Sequence, residues 1–217
     1  TYQIKECNTP PHFQLITDDQ ALLDVCEQAR AQSAVALDTE FVRVRTLHPK
    51  LGLIQLYAGD EVALIDPTTI QDFSPFIALL ADESVLKVLH ACGEDLEVFQ
   101  HYFAQLPQPM CDTQVMANFL GFAGSAGFAT LVQHYFHIEI DKGASRTDWL
   151  ARPLSEIQLR YAAADVWYLL PLYAQMQIQL EQTEWQSAVK NECEFLLNKR
   201  AHAVKNPDTA YIAIPNA

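Results

Sequence analysis

A chain of 217 residues, half of them hydrophobic, can bury one substantial core, and no apolar run approaches the roughly 18 to 20 residues of a membrane-spanning helix. The N-terminus lacks the basic-then-apolar pattern of a secretory signal, and five cysteines without a CxxC pair indicate neither a disulfide framework nor a zinc site, so a soluble, cytoplasmic protein with one main domain is expected. The net charge of −13 argues against a nucleic-acid partner until its distribution is examined: no acidic residue falls between Glu40 and Asp60, where Arg43, Arg45, His48 and Lys50 lie, and Lys142, Arg146 and Arg152 outnumber Asp141 and Asp148.

The stretch 1–12 is aperiodic, contains Pro10-Pro11 and reads as a leader or chain edge. Phe13 to Ile16 is a short strand, after which Thr17 or Asp18 caps a helix with Leu22, Leu23, Cys26 and Ala29 on its apolar stripe. Val35 to Phe41 begins as an apolar strand and then carries Asp38 and Glu40 where a buried strand would leave the core. Leu51 to Tyr57 and Val62 to Ile65, separated by Gly59-Asp60, read as a hairpin that makes a three-strand meander with it. Helical spacing follows in Phe73 to Leu80, a strand in Val85 to His90, and a helix in Gly93 to Phe103 with Leu96, Phe99 and Tyr102 or Phe103 on one face. Asp112 suits a helix cap ahead of a helix to about Leu120; Gly121 to Gly127 breaks it before another helix near Leu131. Ile138 to Trp149 reads as loop, and Ser155-Glu156 starts a long helix through Asp165 to Leu172 that Pro171 should kink or break. A last amphipathic helix covers Glu184 to about Val204, and Asn206-Pro207-Asp208 marks a boundary.

Side chains alternate along a strand, so Asp38 and Glu40 project to one side and can reach one site. Tyr161 and Asp165, four apart in a helix, share a face. Asp95 stands at the start of a helix, near unpaired backbone N–H groups. Carboxylate oxygens are the donors that hard divalent cations prefer, and a pair of such ions can clamp the attacking and leaving oxygens of a phosphoryl group. Taken singly, each of these residues also has an ordinary explanation as surface, cap or helix pair.

In order and context, Asp38-Thr39-Glu40-Phe41, His90 with Asp95, and Tyr161 with Asp165-Val166 resemble the three exonuclease motifs of the DEDD superfamily, in its tyrosine branch because Arg160, not histidine, lies five before Asp165. The longer strings DTEFVRVRTLHPKLGLIQL, CDTQVMANFL and TDWLARPLSEIQLRYAAADVWYLLPLY resemble ribonuclease D, over about residues 13–204. The resemblance implies an α/β fold, a ribonuclease H-like mixed β-sheet flanked by α-helices. It implies a 3′-to-5′ exoribonuclease releasing nucleoside 5′-monophosphates, with two Mg²⁺ or Mn²⁺ ions held by Asp38, Glu40, Asp95 and Asp165 and an attacking water oriented by Tyr161. The implied partner is RNA with a free 3′ end, transfer-RNA precursors among them, with no membrane and no obligate protein partner. Residues 13–205 are then the exonuclease domain, and 206–217 the start of a C-terminal helical nucleic-acid-binding region. Phe41, Arg43, Arg45, His90, Lys142 and Arg146 are the candidate substrate contacts, while Trp149 either stacks on a base or anchors the core. Two other readings stay open: a DNA exonuclease or proofreading domain, and a catalytically silent RNA-binding module of the same fold.

Overall fold

In the computed structural model, which describes residues 9–45 and 47–205, the apolar runs pair into a six-stranded mixed sheet. Its strands are β1 (Phe13–Ile16), β2 (Ala34–Val42), β3 (Lys50–Tyr57), β4 (Val62–Ile65), β5 (Leu86–Leu89) and β6 (Met110–Asp112), in the order β1-β4-β3-β2-β5-β6. The expected meander is present, since β3 runs antiparallel to both β2 and β4. The other pairings, β1 with β4, β2 with β5 and β5 with β6, are parallel. Strand β6 has no counterpart in the sequence reading: three residues are too few to show a period, and the strand exists through its pairing with β5.

The helices are α1 (Asp19–Arg30), α2 (Ser74–Ala81), α3 (Gly93–Phe103), α4 (Thr113–Phe119), α5 (Phe128–Phe136), α6 (Glu156–Trp167), α7 (Leu169–Glu181) and α8 (Gln186–Lys205). Asp18 caps α1 and Asp112 caps α4 through backbone N–H bonds, and Ser155 forms a full capping box with Gln158 at α6. The long helix breaks, as expected from Pro171, but three residues earlier, at Tyr168, which places Pro171 in the first turn of α7, where its missing N–H leaves no bond unmade. Among the face candidates of α3, Phe103 is the buried one and Tyr102 is exposed.

The core lies on both faces of the sheet. On one, Val35 and Leu37 pack with α1, α2 and α3 through residues such as Leu22, Phe76 and Phe99. On the other, Ala36, Leu53 and Tyr57 meet Ala162, Ala163 and Val166 of α6, whose small alanines bring that helix close to the strands. Strand parity therefore sends Asp38 and Glu40, in phase with Ala36, toward α6, and sends Thr39, in phase with Leu37, toward α3. The pairing of β2 with β5 ends at Ala36 opposite Val88, while β2 continues to Val42 beside β3 alone. The carboxylates thus emerge in a crevice at the carboxyl ends of parallel strands, the usual position for a ligand site in an open α/β sheet.

One buried charge outside that crevice has a structural explanation. Lys87 on β5 is fully buried, and its Nζ donates to the carbonyls of Asp82 at 2.7 Å and Gln108 at 2.8 Å, joining two loops at the sheet end. Cys26, Cys92, Cys111 and Cys193 are buried free thiols; Cys7 lies outside the described residues, as does most of the stretch 1–12 and all of 206–217.

Candidate active site

Asp38 and Glu40 of β2 and Asp165 of α6 each offer a carboxylate oxygen, and these oxygens all lie within 4.8 Å of one another. Asp38 Oδ1 accepts its neighbour's N–H, from Thr39, at 2.9 Å. Asp95, in the first turn of α3, is buried and comes from the other side of the sheet, where the hydroxyl of Thr39 donates to its Oδ1. Asp38 lies between the two groups, close enough to raise the pKa of both Asp95 and Asp165 by its charge. Strand β2 and helix α6 thus bring together three of the four carboxylates expected from the sequence, and the fourth, Asp95, stands beside Asp38 from α3.

Burial is the main force on the protonation of all four, followed by the charge of Asp38 for Glu40, Asp95 and Asp165, while the Thr39 N–H works against the rise at Asp38 itself. The net effect pushes Asp38 up to about 6 and Glu40 up to about 9, and holds Asp95 and Asp165 well above the usual carboxylate range. The four cannot all be charged at neutral pH without a compensating cation. A set of hard oxygen donors that is stable only when protonated or neutralised suits divalent ions such as Mg²⁺ or Mn²⁺.

Tyr161 stands one helical turn before Asp165, as its spacing predicted, and lines the same cavity of about 180 Å³ as Asp38 and Asp165. Burial, and then the charges of Asp165, Glu40 and Asp38, raise its pKa, so the phenol stays protonated and can donate a hydrogen bond but not accept a proton. The opposite wall is apolar, built from Phe128, Ile140 and Leu169, none of which carried a recognisable signal in the sequence.

The expected substrate contacts divide. Lys142 is exposed and lines the cavity. His90 lines it as well, yet both ring nitrogens are engaged, Nδ1 with Thr113 Oγ1 at 2.7 Å and Nε2 with the Ala126 carbonyl at 3.0 Å. Arg45 and Arg146 are exposed. Arg43 instead reaches Glu94 at 3.2 Å and Glu97 at 3.0 Å on α3. Phe41, half-buried after the irregularity in β2, packs against the core on the α3 side. Trp149 is an anchor in the core, 1% exposed, with its ring 6.1 Å from that of Tyr161.

Arg152 shows why a basic cluster in a sequence is a weak sign of phosphate binding. Its guanidinium donates to the carbonyls of Trp149 and Gly52, both at 2.7 Å, and pairs with Asp66. It clamps the loop before α6 onto β3, and with it Ser145, whose side chain reaches Tyr161. Gly52 permits the approach: a Cβ there would lie 2.4 Å from the Trp149 carbonyl oxygen and 2.8 Å from the Trp149 Cβ. Gly52→Ala is therefore expected to destabilise the fold by about 1–3 kcal/mol by pushing the loop off β3. An unchanged urea midpoint would show that the backbone yields without cost.

Comparison with known proteins places this geometry. The profile of a 3′-5′ exonuclease family matches residues 13–181. A ribonuclease D from Haemophilus influenzae is 60% identical over 216 residues, covering 99% of the chain and 54% of that protein. The crystal structure of Escherichia coli RNase D, described as an exoribonuclease involved in structured RNA processing, superposes with a TM-score of 0.85 at 53% identity, covering 87% of the chain and 50% of that one. Brucella melitensis NrnC with bound Mg²⁺ superposes with a TM-score of 0.76 at 25% identity, covering 91% and 94%. The chain spans about half the length of the curated relatives it matches.

Proposed function

The chain belongs to the 3′-5′ exonuclease family, alongside the ribonucleases D, and from that premise we propose that it removes nucleotides one at a time from the 3′ end of RNA as nucleoside 5′-monophosphates. The observation that carries this reading is the convergence of the Asp38, Glu40 and Asp165 carboxylates, with Tyr161 lining the same cavity as Asp38 and Asp165. Asp38, Glu40, Asp95 and Asp165 are the residues that would hold two divalent ions, Mg²⁺ or Mn²⁺. Two ions in such a site supply the positive charge that acidifies the attacking water and offsets charge on the leaving 3′ oxygen.

The protein's own groups do the rest. Tyr161 donates a hydrogen bond from its phenol to the attacking water or to a phosphate oxygen and so fixes the line of attack; with its pKa raised, it is no general base. Phe128, Ile140 and Leu169 shield the scissile bond and give the terminal nucleoside an apolar wall. Lys142 meets the phosphate backbone at the rim, with Arg45 and Arg146 as outer contacts. His90, held through both ring nitrogens, shapes the wall and takes no proton.

RNA is favoured over DNA by the names of the relatives, and the structured RNA processed by the Escherichia coli enzyme points to transfer-RNA precursors and other small structured RNAs. Residues 13–205 form the catalytic domain in this reading. Among the described residues no helix is long and apolar enough to cross a membrane.

Digestion of 5′-labelled single-stranded RNA and DNA with free 3′-hydroxyls, side by side in Mg²⁺, tests the assignment. The expected result is stepwise shortening of RNA, with DNA shortened more slowly; faster digestion of DNA would favour the proofreading class. In the same assay Tyr161→Phe is expected to lower the rate by roughly 10²-fold with an unchanged melting temperature. A rate equal to the parent's would remove Tyr161 from the mechanism.

A further inference from the structure

Gln55 lies in the middle of β3, fully buried and directly opposite Asp38 in the antiparallel register, hence on the face that carries Asp38 and Glu40. Its Nε2 donates to Glu40 Oε1 at 3.1 Å and to the carbonyl of Ala162, the residue after Tyr161, at 3.4 Å. A backbone carbonyl can only accept, so the nitrogen end of the amide must face this way. The Oε1 is then left buried and, among the described residues, without a partner.

A buried amide with an orphaned acceptor is a cost to the fold that a methionine or leucine would not incur. What the amide provides is a bridge between the second carboxylate of β2 and α6, the helix that carries Tyr161 and Asp165. Glu40 is also the residue just before the register irregularity in β2, where the strand alone fixes its side chain least. We propose that Gln55 is a positioning residue that holds Glu40 in the arrangement converging with Asp38 and Asp165, and so sets the affinity of the carboxylate cluster for divalent cations. This rests on the reading of that cluster as a metal site.

The test measures Mn²⁺ binding directly, by titration calorimetry on the parent, Gln55→Met and Gln55→Leu, with melting temperatures in EDTA alongside. Both variants are expected to melt at or above the parent's temperature in EDTA and yet to bind Mn²⁺ about 10-fold more weakly or worse, the usual scale for losing a group that orients a metal ligand. Their kcat on RNA should recover at high Mn²⁺ with KM for RNA unchanged. Variants that bind Mn²⁺ as tightly as the parent overturn the proposal, as do variants whose weaker binding merely follows a lowered melting temperature. A parent that binds no Mn²⁺ overturns the metal reading itself and this proposal with it.

Discussion

Asp38→Asn is expected to eliminate Mg²⁺-dependent release of mononucleotides, a loss of about 10³-fold or more, while raising the melting temperature of the metal-free protein at pH 8. The two effects have one cause. Asparagine keeps the shape of the side chain and an oxygen to accept the Thr39 N–H, so the local fold survives. What it removes is the negative charge next to Glu40, Asp95 and Asp165, each of which that charge opposes. With cations bound, that charge is a ligand and its loss disables the site. With cations absent, it is repulsion in a buried place and its loss is relief. Opposite signs in the two measurements separate a metal ligand from a structural residue: a variant that loses activity and also melts lower in EDTA has lost its fold. A variant that digests a 3′-hydroxyl RNA at the parent's rate would show that the site is wrongly placed.

Much of this site was legible because its logic is local. Strand parity puts Asp38 and Glu40 on one side, and helical spacing puts Tyr161 above Asp165; both follow from the backbone period alone. The cap of α4 was readable for the same reason, since Asp112 bonds an N–H two residues ahead. Contacts made across the fold were not readable. Asp95 was recognisable only through the motif it resembles, because its partner Thr39 lies 56 positions earlier and on the face of β2 away from Glu40. Arg152 was grouped with phosphate-seeking cations, yet its acidic partner, Asp66, is 86 positions away. Arg43 was grouped likewise, and its glutamates come from α3. Gln55 gave no signal at all: an amide in an apolar strand has no period to break, and only the register opposite Asp38 discloses its use. Strand β6 was missed because three residues make sense only beside β5.

The largest expected effect on stability comes from pH in the absence of metal. Asp38, pushed up to about 6, and Glu40, pushed up to about 9, hold their protons more tightly folded than unfolded, where carboxyls titrate near about 4; Asp95 and Asp165 shift in the same direction. A folded pKa above the unfolded one means that the native state binds more protons, so stability falls as pH rises. The contribution is fully present below about pH 4 and is lost as pH passes through the folded values. Two other carboxyls act oppositely in acid. Asp66, against the cost of its burial, is held low by Thr68 and Arg152, and Asp82 is held low by Ser84 and Arg30, so their stabilisation is lost only as pH falls through the acid range. Between pH 5 and pH 9 His90 and His101, held below the usual imidazole value by burial, and Lys87, pushed down to about 8 by burial, bind fewer protons folded than unfolded and so oppose the cluster. The four carboxyls shifted upward outweigh these three, and the melting temperature in EDTA should fall across that window. Divalent cations compete with the protons for the same oxygens, so Mn²⁺ or Mg²⁺ should raise the melting temperature strongly at pH 8 and little at pH 5. A metal-free melting temperature that is flat from pH 5 to pH 9, or the same metal-induced rise at both ends, would mean that the four carboxylates are neither strained together in the metal-free protein nor relieved by cations.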